Sequence, residues 1–149
     1  MDMTDNIAVS VSALDAQRRR LNVIASNLAN AQSTRTASGG PYRRRDVVFQ
    51  SASVGSAFQQ TIRKIATGPS AHALEGVKVS RVIEDPKPGQ QIYDPRHPDA
   101  DAKGFVRLPN VNVMEEMVNM IGASRSYEAN VQAINATKAM WNRALEIGR

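Results

Sequence analysis

Residues 7–28 read IAVSVSALDAQRRRLNVIASNL, and this stretch decides how the N-terminal part of the chain folds. Apolar side chains recur along it at alternating spacings of four and three, which is the stripe of a coiled-coil or bundle helix. The pattern predicts a helix over about residues 4–31, roughly 40 Å long at about 1.5 Å per residue. The apolar stripe comprises Ile7, Val11, Leu14, Leu21 and Leu28, with Arg18 and Ala25 in its remaining positions.

The C-terminal segment carries the same pattern. Met114, Val118 and Ile121 add a second stripe at its start, so we expect this end to bury a wider face. Asn112 followed by Glu115 forms a variant capping box and predicts where the helix begins. The main stripe comprises Val113, Met117, Met120, Ser124, Tyr127, Val131, Ile134, Lys138, Trp141 and Leu145.

Residues that break helices are confined to the middle of the chain. All seven prolines lie between Pro41 and Pro109, and seven of the nine glycines lie between Gly39 and Gly104. Because Pro and Gly disfavour helix interiors, the middle is predicted to be built from strands and turns. Four short runs rich in β-forming residues favour strands, at residues 45–50, 77–83, 90–93 and 105–108.

These patterns predict an α+β fold. We expect long N- and C-terminal helices packed as a coiled-coil-like pair, with a small β-rich insert between them. The helices would form a discontinuous core domain at residues 1–35 and 110–149, and the insert would span residues 36–109. Residues 52–66 are compatible either with a short helix or with a surface excursion. Because two helices leave part of their stripes uncovered, neighbouring copies are the expected partners.

The composition excludes several classes of function. The chain has no cysteine, which excludes a disulfide framework, a thiolate zinc site and a cysteine nucleophile. The N-terminus reads MDMTDN and lacks a basic region leading into an apolar one, so we expect no cleaved secretory signal. No stretch approaches the roughly 18 apolar residues of a membrane span, so none is expected.

The net charge of +5 raises the question of nucleic-acid binding. Two arginine triplets stand out, Arg18–Arg20 and Arg43–Arg45. They lack the interleaved aromatic residues of single-strand binders, which favours a solvated helix face and a loop flank. A basic coiled-coil adaptor that binds nucleic acid through the triplets is the alternative function.

A loop rich in carboxylates is the strongest candidate for a metal or catalytic site. Read as a calcium loop from Asp99, it places Lys103 fifth and Asn110 twelfth, where oxygen ligands are required. We therefore predict a structural loop whose carboxylates cap backbone N–H groups, with no metal, cofactor or catalytic residue. An enzyme that acts on the cell wall through these carboxylates and the histidine is the third hypothesis. The loop comprises Tyr93, Asp94, Pro95, His97, Pro98, Asp99 and Asp101.

The helices also carry Asn and Ser where a soluble bundle would prefer Ala, Glu or Lys. Leu14-Asp15-Ala16-Gln17, Ser26-Asn27-Leu28-Ala29-Asn30 and Tyr127-Glu128-Ala129-Asn130 are the clusters concerned. With these motifs at opposite ends, the sequence resembles the axial proteins of the bacterial flagellum, which are rod, hook and hook-associated subunits. The loop, with Gly104-Phe105-Val106 and Pro109-Asn110-Val111-Asn112, further resembles the proximal rod members. Residues 51–76 match nothing in that family and would be an insertion.

The resemblance implies a structural subunit that polymerises through its terminal helices into the axial drive shaft and export channel. It implies export by the flagellar type III apparatus without signal cleavage, and a position in the rod within the periplasmic space. The implied partners are copies of itself, other proximal and distal rod proteins and the rod-to-membrane-ring adaptor. The residues implied in assembly are the apolar members of the N-terminal stripe other than Ala25, the apolar members of the main C-terminal stripe, and Ser26, Asn27, Asn30 and Asn130.

Overall fold

The computed structural model of the chain describes residues 3–37, 39–53 and 75–147. The described elements are, in chain order, helix α1 (Met3–Ala29), strands β1 (Arg45–Ser53), β2 (Glu75–Glu84), β3 (Gln91–Tyr93) and β4 (Phe105–Arg107), and helix α2 (Val113–Ile147). Two long terminal helices flanking a small β region confirm the predicted α+β class. Most of the interval 51–76, which was predicted to be an insertion and to contain either a short helix or a surface excursion, lies outside the described residues.

Helix α2 begins where the sequence predicts. The Asn112 side-chain oxygen accepts the backbone N–H groups of Met114 and Glu115, at 3.1 and 3.4 Å. These N–H groups have no partner inside the helix, so the side chain caps the first turn. The Glu115 carboxylate, expected to complete the capping box, lies 3.6 Å from Nη2 of Arg44.

The four predicted strands are confirmed and form two separate two-stranded sheets. β1 pairs with β2, and β3 pairs with β4. β3 and β4 run antiparallel, with Ile92 opposite Val106 and Tyr93 opposite Phe105. The Tyr93 and Phe105 rings meet edge to face with centroids 5.3 Å apart, an arrangement that aromatic quadrupoles favour.

Gly104 shapes the connection between β3 and β4. Its φ is +79°, which lies in the left-handed region that side chains disfavour. A Cβ placed there would lie 2.9 Å from the Tyr93 ring and 3.2 Å from Cβ of Pro95. Glycine is therefore required at this position for two independent reasons.

Contacts divide the chain into two compact units, each made of several segments. The first comprises residues 1–18, 49–80 and 125–149, and the second comprises residues 19–48 and 81–124. Buried apolar side chains of the second unit include Ile24, Tyr42, Val47, Val106 and Ala123. The division into a helical core domain and a β-rich insert stays a prediction. Along the described part of the chain, neither helix is both long and apolar enough to traverse a membrane.

Candidate assembly site

The second unit is organised around buried polar groups. Asn27 of α1 and Glu116 of α2 each expose only 1% of their surface, and Tyr42 exposes 8%. Together with Arg44 they form what we call the polar junction. Because burying a polar group without a partner costs free energy, their hydrogen bonds decide whether this arrangement is stable.

Asn27 uses its full hydrogen-bonding capacity within the chain. Its Nδ2 donates to the Arg45 carbonyl oxygen at 2.7 Å and to Oε2 of Glu116 at 2.9 Å. Its Oδ1 accepts the Tyr42 hydroxyl and the Arg45 backbone N–H, both at 2.9 Å. An asparagine side chain offers two donor hydrogens and two acceptor lone pairs, so all four positions are filled. Asn27 therefore links α1 to both β1 and α2.

Arg44 compensates the buried carboxylate of Glu116. Its Nε donates to Oε1 of Glu116 at 2.8 Å, and its side chain is 20% exposed. Burial alone would lower the pKa of Arg44, but the hydrogen bond and charge of Glu116, with the charges of Glu115 and Asp46, raise the pKa above its ordinary value. A raised pKa keeps the Arg44 guanidinium charged throughout the physiological pH range.

The backbone of Arg44 extends these connections into the neighbouring segments. Its N–H donates to Oδ1 of Asn110 at 2.9 Å, and its carbonyl oxygen accepts the Asp85 N–H at 2.8 Å. Residues from the chain before β1, after β2 and before α2 thus meet at one arginine. The polar junction fixes the mutual positions of these segments.

Other polar residues of the α1 motif form hydrogen bonds at the end of the helix. Nδ2 of Asn30 donates to the Ser26 carbonyl oxygen at 2.9 Å, and Oδ1 of Asn30 accepts the Ser33 hydroxyl at 3.1 Å. The Ser26 hydroxyl lies 3.4 Å from that of Tyr42. The Ser26 carbonyl oxygen also accepts the Asn30 backbone N–H at 3.1 Å, so Asn30 holds the helix end through both its backbone and its side chain. Asn130 makes the corresponding bond within α2, to the Ser126 carbonyl oxygen at 2.8 Å.

The carboxylates of the 93–101 loop bind backbone groups and neighbouring side chains. Oδ1 of Asp101 accepts the N–H groups of Lys103 and Phe105, at 2.8 and 2.9 Å, and Asp94 accepts that of Arg96 at 3.1 Å. These contacts make the carboxylates part of the turn rather than free ligands.

Two further groups of the same loop are engaged. Oδ2 of Asp99 accepts the Thr34 hydroxyl at 2.7 Å, which ties the loop to the segment after α1. Nδ1 of His97 accepts the Asp99 N–H at 3.1 Å. Among the described residues, no group of three or more His, Cys, Asp or Glu side chains is placed to hold a metal ion.

The predicted assembly stripes differ in their exposure. In α1, Val11 is exposed, whereas Ile7, Leu14, Leu21 and Leu28 are half-buried. The assembly residues predicted in α2 include half-buried positions and exposed ones. The half-buried positions are Met120, Tyr127, Asn130, Val131 and Ile134, and the exposed ones are Val113, Met117, Trp141 and Leu145.

Among the apolar side chains at the beginning of α2, those of the second stripe are the most exposed. Met114, Val118 and Ile121 expose 70%, 67% and 55% of their surface. Within the described part of the chain, the wider face that the sequence predicts to be buried is therefore exposed. We call these three residues the α2 face.

The arginine triplets do not act as uniform cationic patches. Arg44 pairs with Glu116, and Arg45 pairs with Glu84 at 3.1 Å and lies 5.7 Å from the Tyr42 ring centroid. Arg18 pairs with Asp15 at 3.6 Å. Interpreting Arg43–Arg45 as a solvated loop flank misses the buried contact of Arg44, and the nucleic-acid hypothesis loses two of its three cations there.

Sequence reasoning identified Asn27 but missed Glu116, Arg44 and Tyr42. Glu116 looks like an ordinary acid in a first helical turn, where the helix dipole favours negative charge. Its partners Asn27 and Arg44 lie 89 and 72 positions away in sequence. The signal available in the sequence is weak: Arg44 lies two positions after Tyr42 and directly before the predicted strand at residues 45–50.

Comparison with known proteins places both ends of the chain in flagellar families. Residues 5–35 match the family model described as "Flagella basal body rod protein". Residues 102–147 match the model described as "Flagellar basal body rod FlgEFG protein C-terminal". The two matches cover the helical ends that carry the Asn-rich motifs.

Full-length relatives are similar along the entire chain, and each is named flagellar basal-body rod protein FlgC. The protein of Bacillus subtilis is 47% identical over 148 residues, covering 97% of both chains. That of Yersinia enterocolitica is 44% identical over 149 residues and covers all of both chains. That of Salmonella typhimurium is 48% identical over 141 residues, covering 95% of this chain and 94% of the relative.

Proposed function

Because the chain belongs to the FlgC family of flagellar basal-body rod proteins, we propose that it polymerises through its terminal helices into the hollow axial rod. It is a structural subunit of the flagellar basal body. In this role the rod transmits torque as a drive shaft and encloses the export channel. The observation that carries the proposal is the α2 face, an apolar surface on a helix that its own chain leaves open.

The physical basis of polymerisation is the burial of exposed apolar surface. Covering a half-exposed Met, Val or Ile against a neighbour contributes about 1–2 kcal/mol per side chain. The α2 face differs from the partly buried stripe of α1, so the contact between copies is expected to join unlike surfaces. Contacts between unlike surfaces that do not close into a ring generate a helical tube.

The partners and the location follow from this role. The protein localises to the flagellum. We propose that it lies in the periplasmic rod, delivered by the type III export apparatus without signal cleavage. Its proposed neighbours are copies of itself, other proximal and distal rod proteins, and the adaptor that joins the rod to the membrane ring.

We also propose that the chain has no catalytic role. The support lies in the carboxylates of the 93–101 loop. Asp94 and Asp101 accept backbone N–H groups, and Asp99 accepts the Thr34 hydroxyl. Carboxylates committed to such contacts are poorly placed to transfer protons to a substrate.

The test replaces the α2 face in cells that lack the natural gene. The variant Met114→Ser/Val118→Ser/Ile121→Ser should fold as the wild type but incorporate poorly into isolated basal bodies, and motility should be lost. The matched control Val82→Ser/Ile83→Ser/Ile92→Ser removes exposed apolar side chains from strands instead. Subunit content of the rods, measured by quantitative mass spectrometry, is the readout.

Three outcomes are informative. Loss of incorporation in the helix variant alone supports assembly through α2. Loss in the strand variant alone contradicts assembly through the terminal helices. Complete rods in cells that lack the gene would contradict a role of this chain in the rod.

A further inference from the structure

A cleft of about 720 Å³ opens in the second unit. Its walls come from residues 39–43, from residues 86–91 and from residues 107–110. Three cationic side chains, Arg43, Lys87 and Arg107, lie on these walls, one from each segment. None of the described residues that line the cleft is acidic.

The three cations of the cleft, Arg43, Lys87 and Arg107, have exposed side chains. None of them forms an ion pair with a residue in the described ranges, whereas the next two arginines along the chain, Arg44 and Arg45, are each paired with a glutamate. The chain thus neutralises two members of one triplet and leaves the third at the cleft. Like charges gathered in a concave surface without counter-ions raise the local potential and attract anions.

An uncompensated amide group points to the kind of ligand. Asn110 lines the same cleft, and its Oδ1 is occupied by the Arg44 N–H. Its Nδ2 is buried without a hydrogen-bond partner. A buried donor without an acceptor costs about 1–3 kcal/mol, which an incoming carbonyl or carboxylate oxygen would recover.

We propose that this cleft binds an acidic peptide segment of a neighbouring protein in the rod. The proposal rests on the role of the chain as a rod subunit, which places other protein chains at its surface. Carboxylates match the three cations, and a peptide carbonyl matches the free amide donor of Asn110. Because a water molecule occupies about 30 Å³ in the liquid, a cleft of about 720 Å³ has room for a peptide segment rather than one small anion.

The chain's own segment 54–74 does not have the chemistry of the occupant. It contains Arg63 and Lys64 and no acidic residue, so it would add to the positive charge. The occupant is therefore expected from another chain.

The first test measures binding to the purified full-length chain. A fluorescent hexaglutamate peptide is the probe, and the cleft variant is Arg43→Gln/Lys87→Gln/Arg107→Gln. The control Arg81→Gln/Arg96→Gln/Lys103→Gln removes the same charge at exposed positions outside the cleft. We expect the cleft variant to bind about tenfold more weakly or worse, and the control to stay within about twofold of the wild type.

Two results of this experiment would overturn the proposal. Equal losses in both variants would mean that the probe senses net charge and not the cleft. A single-stranded oligonucleotide that binds more tightly than hexaglutamate, and that the cleft variant loses, would identify nucleic acid as the occupant.

The second test separates the cleft from the proposed function. Gene deletion should abolish the rod, and the cleft variant should restore fewer rods than the control variant does. Rods that are complete after deletion contradict the role in the rod itself. Rods that need the gene but assemble normally with the cleft variant contradict the cleft proposal alone.

Discussion

The end of α1 buries a polar side chain, whereas the beginning of α2 exposes large apolar ones. Asn27, on α1, is 1% exposed and fully hydrogen-bonded, while Met114 and Val118, on α2, expose 70% and 67% of their surface. A monomeric soluble protein usually buries apolar side chains and exposes polar ones. The difference indicates that hydrogen bonds specify the fold of the subunit here, and that the exposed apolar surface is available for the contacts between chains proposed above.

The largest expected effect comes from removing the cation of the polar junction. Arg44→Met leaves the Glu116 carboxylate buried without its partner, which should lower the free energy of unfolding by about 3 kcal/mol. Chemical denaturation of the purified monomer measures this loss. The adjacent substitution Arg43→Met removes an exposed cation and should change stability by less than about 0.5 kcal/mol. Equal losses in the two variants would mean that the polar junction does not stabilise the fold.

A smaller loss is expected at the amide that joins the two helices. Asn27→Ala removes four hydrogen bonds and leaves the Tyr42 hydroxyl and a Glu116 oxygen without this partner, which should cost about 2 kcal/mol. The control Asn22→Ala, at an exposed position of the same helix, should be nearly neutral. Equilibrium unfolding in urea compares the two variants. A neutral Asn27→Ala would show that the hydrogen bonds of Asn27 do not stabilise the fold.

The β3–β4 connection provides a third test, outside both regions. Gly104→Ala combines a left-handed backbone with a contact against the Tyr93 ring, and we expect a loss of about 1–2 kcal/mol. Gly40→Ala has a similar φ of +75° but nothing within 4 Å of the new Cβ. Thermal unfolding of both variants isolates the steric part, and equal losses would assign the whole effect to the backbone.

The smallest effect on stability is expected at the α2 face. Val118→Ser alters a side chain that water already surrounds, so the free energy of unfolding should change by about 0.5 kcal/mol or less. Circular dichroism melts of the monomer check this directly. A loss as large as that of Asn27→Ala would mean that the face is covered within the monomer.

Local patterns were sufficient to predict the elements of this fold. Apolar side chains at alternating spacings of four and three predicted α1 and α2, and the Asn112 cap placed the start of α2 at the right turn. The four strands followed from short β-forming runs between prolines and glycines. Each of these features depends on residues close in sequence, which a single chain displays without its three-dimensional context.

The centre of the candidate site depends instead on distant residues. Glu116 becomes a structural group only because Arg44 and Asn27 reach it from other segments. The resemblance to flagellar axial proteins marked Asn27 as important, but it could not distinguish a contact within the chain from one between chains. Which face of α2 lies open likewise depends on how the rest of the chain packs.

The saturated hydrogen bonding of Asn27 makes the subunit sensitive to chemical change at this one side chain. Spontaneous deamidation would turn its amide into a carboxylate. The two oxygens now 2.7 and 2.9 Å from Nδ2, on Arg45 and Glu116, would then face an acceptor with negative charge instead of a donor. One chemical lesion at this amide would therefore convert a fully hydrogen-bonded contact of the subunit into a repulsive one.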